Sequence, residues 1–211
     1  MFSPAVIAAG FALSFGLIVA IGPQNAFVLR QGLRREHVLA VTSVCFLSDG
    51  LLIAIGVGGA GTLFALNPLL GSGMTWIGTL FIAGYGLMAF RSALRPQALE
   101  PEATDPPAGA GRTAKTAVLT ALAFTWLNPH AYLDTLVLIG GVSAHYGTAA
   151  ERLAFGIGAL TGSAVWFYGL GFGATRLARF FESPRAWRGL DIAIGIVMSA
   201  IALSLAWHEL A

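Results

Sequence analysis

The chain has 211 residues, of which 56% are hydrophobic and only 10% charged, with a net charge of +2 and a mean hydropathy of +0.77. A soluble domain carries about 25% charged residues, so this composition cannot clothe a water-facing surface and points to an all-α polytopic membrane protein. It also excludes a nucleic-acid binder, because the basic residues gather at helix ends and not on one stripe. The 27 glycines fit close helix approach in lipid, and the single cysteine, Cys45, excludes an internal disulfide framework.

The first element spans 4–29. It lacks the basic leading region and small-residue cleavage site of a secretory signal, and is expected to be retained as a membrane span. Within it, the stretch AIGPQNAFVLRQG (Ala20 to Gly32) breaks an apolar run at Gly22-Pro23 and inserts two amides, Gln24 and Asn25. Proline removes a backbone donor and frees a carbonyl, and in hydrocarbon the freed groups need partners in protein or in a wet cavity. Amides serve, since they both donate and accept. A connection with Arg30, Arg34 and Arg35 leads to span two, 38–66, which carries Asp49 far from either end. Span three covers 74–94.

Residues 96–114 follow, with four prolines and three acids in Pro96 to Gly111, and read as a cytoplasmic linker between halves 1–95 and 115–211. Span four, 116–144, is interrupted like span one: TWLNPHAYLDT (Thr125 to Thr135) sets Asn128-Pro129 in an apolar run, with Tyr132 and Asp134 close behind. Spans five and six cover 153–175 and 188–207. With three spans per half, the two halves run in opposite senses. The expectation is six transmembrane helices as two inverted three-helix repeats, the first helix of each half broken at proline. Paired breaks of this kind mark the site of a transporter.

Charge orients the chain. Eleven of the twelve basic residues fall in the 1–2, 3–4 and 5–6 connections, and only Arg152 falls on the opposite side. By the positive-inside rule the eleven are cytoplasmic and both termini lie outside.

Of ten acids, eight are assigned to loops or helix ends, Asp191 among them, which leaves Asp49 and Asp134 at depth. A mid-span aspartate costs about 2.5–3.5 kcal/mol to insert. With no basic residue expected at comparable depth, the pair would attract an external cation, a proton, or both. His130, four residues before Asp134 on one helix face, reads as a proton relay, half of a metal site or a plain hydrogen-bonded neighbour. Tyr132, Trp166 and Tyr168 are candidates for the cavity wall. No HExxH motif, no GxSxG in a fitting context and no second cysteine support an enzyme, a resident metal or a cofactor. Small-residue faces leave room for a homodimer.

GPQNAFVLRQGLRREH (Gly22 to His37) with SDG (Ser48 to Gly50), and TWLNPHAYLDT with LIGGVSAHYG (Leu138 to Gly147), resemble the lysine/arginine exporter family of LysE type over most of the chain. The resemblance implies efflux of L-lysine and L-arginine from a bacterial inner membrane, powered by the proton-motive force. Family positions fall on Asn25, Asp49, Asn128 and Asp134, and His130 departs from the small polar residue expected there. The wider superfamily includes homoserine/threonine exporters, so the alternative is export of neutral amino acids or of another small cation.

Such an exporter works uphill: moving a positive charge out against an inside-negative potential costs about 2.3 kcal/mol per 100 mV. A carboxylate that holds a proton and the substrate's cation in turn is a minimal exchanger. The expected binding set is therefore Asp49, Asp134, Asn25, Asn128, Gln24 and Tyr132, with Gly22, Pro23 and Pro129 at the helix breaks. Glycine-rich stretches at 56–59 and 169–173 would let packed helices shift.

Overall fold

The computed structural model describes residues 3–19, 22–60, 68–94, 113–181 and 183–210. Eight helices, and no strand, occur among them. The apolar run Pro4–Val19 forms α1, which lacks any charge. Gly22 then takes an extended conformation (φ −112°, ψ 177°), and Pro23 opens α2, Pro23–Arg34, where its missing N–H costs nothing. The axes of α1 and α2 differ by 79°.

The expected span 4–29 is thus two helices. The second runs past the expected boundary, so Arg30 and Arg34 are helical, not loop, residues. Helix α2 ends where Arg35 adopts a left-handed conformation (φ 58°), its N–H returning to the carbonyls of Gln31 and Gly32. Its guanidinium donates to the Thr175 carbonyl at 3.2 and 3.3 Å. That tie explains how a bulky residue holds a backbone conformation that favours glycine.

Helix α3, Val38–Ile55, widens into a π-helical turn at Gly56–Ala60. Helix α4 is Pro68–Leu94. Helix α5, Ala114–Trp126, starts on a Thr113 cap whose hydroxyl accepts from the Thr116 N–H. Leu127 and Asn128 leave the helix. Helix α6 resumes at Pro129–Tyr132, passes through a π-helical stretch, Leu133–Ile139, and ends as Gly140–Ala144. Helix α7, Ala149–Leu177, begins with a reciprocal Thr148–Glu151 capping box. A 3-10 turn at Ala178–Phe181 precedes α8, Pro184–Leu210.

Helices α1, α2 and α3 all pack on α7, α3 also packs on α5, and α4 packs along α8. The closeness of α1 to α7 has a simple cause. A Cβ on Gly10 would lie 2.0 Å from the Phe155 carbonyl oxygen, and one on Gly158 would lie 2.0 Å from that of Ile7. Only glycine at both places lets the backbones touch. Gly56 and Gly140 bring the ends of α3 and α6 together in the same way. Phe27, Phe81, Tyr85 and Phe124 form an aromatic core linking α2, α4 and α5.

Three stretches, Val38–Gly59, Ala149–Leu177 and Arg185–Trp207, are long and apolar enough to cross a membrane, and the bent α1–α2 pair makes a fourth if taken as one span. Leu80 and Leu203, each 71% exposed, cost little where the solvent is lipid. The expected span 116–144 is divided by the break at Asn128 into pieces shorter than a bilayer. Most of the linker 96–114, and part of the expected span 38–66, lie outside the described residues.

Candidate functional site

Both helix breaks open on one cavity of about 330 Å³, at the small end of the range for ligand pockets. The α1–α2 break contributes Leu17, Ile18, Gly22, Pro23, Gln24 and Asn25. Helix α3 contributes Asp49. The α5–α6 break contributes Asn128, His130, Ala131, Asp134 and Thr135. Phe167 of α7 and Ile201 and Ser204 of α8 complete the lining. Residues more than a hundred positions apart meet here because both chain interruptions face the same interior.

The carboxylates differ in setting. Asp49 is buried in α3 and accepts a hydrogen bond from the Ser163 hydroxyl of α7 at 3.1 Å. Asp134 is half-buried, on the π-helical stretch of α6. Among the described residues the lining carries no lysine or arginine, and His130 is its one titratable base. Two acids in a low-dielectric wall without a fixed cation favour a guest that brings positive charge. No group of three or more His, Cys, Asp or Glu that would hold a metal occurs among the described residues.

The amides are not equivalent. Asn25 donates from Nδ2 to the Ile18 carbonyl at 2.6 Å and accepts from the Trp166 indole at 3.1 Å. It satisfies the carbonyl freed at the break and fixes the angle between α1 and α2. Gln24 keeps a buried Nε2 with no hydrogen-bond partner. Asn128 accepts from the His130 N–H at 3.1 Å and so caps α6. The first turn of α2 has no side-chain cap, so its free N–H groups and positive dipole end sit at the cavity wall.

Other expected wall residues lie elsewhere. Tyr132 is not among the lining residues: its hydroxyl donates to the Trp126 carbonyl at 2.8 Å and ties together the two sides of the α5–α6 break. Tyr168 hydrogen-bonds Ser43 at 2.9 Å, and Trp166 reaches the site only through Asn25. Thr135, Phe167, Ser204 and the Asp49 partner Ser163 were not singled out by sequence. A serine in a membrane helix is common enough to carry no signal alone.

One expectation is overturned outside the cavity. Asp191 is not at a solvated helix end but buried seven residues into α8, and Arg30 is buried in α2 beside it, Nη2 to Oδ1 at 3.2 Å. A basic residue does therefore lie inside the helical bundle.

The family model for LysE type translocators matches residues 15–209. The chain belongs to this family. Its members are transporters and not enzymes. Among relatives, the arginine exporter protein ArgO of Serratia proteamaculans is 42% identical over 204 residues, covering 97% of each chain. Lysine exporter LysE of Corynebacterium diphtheriae is 38% identical over 224 residues, covering 95% of this chain and 98% of its own. A Mycobacterium bovis protein named "Putative amino-acid transporter Mb0498", with no amino acid specified, is 46% identical over 187 residues, covering 89% and 90%. No solved structure matches.

Proposed function

We propose that this LysE-family protein exports L-lysine and L-arginine across a bacterial inner membrane by exchange with protons at Asp49 and Asp134. The observation that carries the reading is the cavity itself, where two carboxylates face an interior with no fixed lysine or arginine among the described residues. The names of the Serratia and Corynebacterium relatives support the substrate class.

In this reading the substrate's cationic side chain neutralises the carboxylates, and its α-carboxylate meets the uncapped first turn of α2. The Gln24 amide offers a further hydrogen bond. Protons and substrate compete for the same negative charge, so they pass in opposite directions. One-for-one exchange is electrically neutral and draws on the pH difference alone.

The same reading holds the basic connections cytoplasmic, both termini outside, and six spans in two inverted halves joined by the 96–114 linker. The packing supports the inverted arrangement. Span one lies on span five as span four lies on span two, and the two third spans lie on each other, the pairing that exchange of the halves would leave unchanged.

Efflux from proteoliposomes loaded with labelled lysine, under an imposed pH gradient and with threonine and divalent cations as competitors, tests this. Efflux that is gradient-dependent, inhibited by arginine and indifferent to threonine is expected. Normal efflux from the Asp49→Asn protein would overturn the assignment, and preference for threonine would favour the neutral-amino-acid alternative.

A further inference from the structure

A second buried polar cluster lies outside the cavity. Arg30 of α2 and Asp191 of α8 are both nearly inaccessible, and form an ion pair with Nη2 at 3.2 Å from Oδ1. Ser92 of α4 donates its hydroxyl to the other carboxylate oxygen at 2.6 Å and accepts from Arg30 Nη2 at 3.4 Å. One turn further along α2, the Arg34 guanidinium lies over the Trp187 ring at 5.3 Å from its centroid. Residues 30 and 34 advance along α2 as 191 and 187 retreat along α8, so two side-chain rungs join these helices.

We infer that Arg30, Asp191 and Ser92 form the cytoplasmic gate of the transport path, an inference that rests on the orientation and substrate flow proposed above. The cluster is placed for it. Helix α2 lines the cavity with Gln24 and Asn25 at one end and carries Arg30 six residues on, about 9 Å along the axis. Helix α8 lines the cavity with Ile201 and Ser204, and Asp191 lies ten residues before Ile201, about 15 Å toward the basic side. Phe27 and Val28, which lie between Asn25 and Arg30 on α2, are fully buried. The exposed Arg35, Arg91, Arg185 and Arg188 crowd the same end.

The chemistry favours a gate over a brace. The pair is not bidentate, and neither Arg30 Nε nor Asp191 Oδ1 completes a hydrogen bond. An incompletely satisfied buried ion pair is often no more stabilising than apolar side chains of the same volume. It has two good states, however: paired when dry, and separately hydrated when water enters. The packing divides the same way, with α2 resting on α7 and α8 on α4. The cluster adds a polar tie to the apolar contacts that α2 makes with α4 and α8, and the place for α2 to move is the Gly22-Pro23 break.

The test reads access, not transport. In a Cys45→Ser chain, which has no other cysteine, a Gln24→Cys reporter is exposed to a membrane-impermeant maleimide from the cytoplasmic face of inside-out vesicles. Labelling is expected to be slow with the gate intact. Arg30→Gln or Asp191→Asn should speed it at least about ten-fold, the population shift that 1.4 kcal/mol produces. The exchanged pair, Arg30→Asp with Asp191→Arg, should slow it again. Thermal unfolding in detergent is followed in parallel. If the single charge variants fail to fold, Ser92→Ala, which strands no charge, is read in their place and should give a smaller rise.

Unchanged labelling in folded single variants, or equal labelling in single and exchanged variants, would overturn the gate. Because no substrate is needed, failed lysine efflux with intact gating would count against the substrate assignment alone.

Discussion

Ser163 and Asp49 face each other across the α3–α7 contact, the serine hydroxyl donating to the carboxylate at 3.1 Å. It is the one hydrogen bond found for this carboxylate among the described residues, so it aims Asp49 within the cavity wall. Ser163→Ala should leave the protein inserted but lower the initial rate of lysine efflux about ten-fold, since hydrogen bonds to charged groups contribute about 1.5–3 kcal/mol. Asp49→Asn should abolish efflux. An unchanged rate in Ser163→Ala would remove the serine from the site.

Gln24 and Asn25 are adjacent in sequence and opposite in expected behaviour. Asn25→Leu deletes the ties to the Ile18 carbonyl and the Trp166 indole, and should cost about 1–3 kcal/mol per stranded group. Gln24→Leu removes an amide whose nitrogen has no partner, and should change stability by less than about 0.5 kcal/mol while impairing efflux. Thermal unfolding in detergent, beside efflux, separates the two. The reverse pattern would exchange their roles.

The α1–α7 contact predicts sharp position dependence among glycines. Gly10→Val or Gly158→Val drives a side chain into opposing backbone and should destabilise by about 1–3 kcal/mol or more. Gly16→Val has nothing within 4 Å of its Cβ and should change the unfolding midpoint little. Equal effects at all three would mean the helices do not touch as described.

Orientation is open to direct measurement. In the Cys45→Ser chain, Arg35→Cys should react with an impermeant maleimide only in inside-out vesicles, and His145→Cys only in intact cells. Both side chains are exposed. The opposite pattern would overturn the proposed orientation and place the Arg30–Asp191 cluster on the outer side.

The features legible in sequence have local causes. Gly22-Pro23 and Asn128-Pro129 announce breaks because proline cannot continue the hydrogen-bonding ladder on its N-terminal side, and both breaks are present. Asp49 and Asp134 stand out because charge is costly in an apolar run, and both line the cavity with Gln24, Asn25 and Asn128. Tyr132 was legible only as an aromatic near the break; its bond to Trp126 depends on how α5 and α6 are set against each other. Arg30 and Asp191 were misplaced because each sits near a basic connection, where a charge usually meets water. Only the approach of α2 to α8 buries them.

Composition, prolines and isolated acids alone determined that this chain is helical and apolar, breaks at two places and carries Asp49 and Asp134 within apolar runs. Each of those facts follows from the solvation or backbone chemistry of a residue and its immediate neighbours. Tertiary structure decided which amide braces a helix break, which serine holds Asp49, and that Arg30 and Asp191 pair. Those outcomes depend on distances between helices far apart in the chain, and a side chain's partner is fixed only when packing excludes water from all the others.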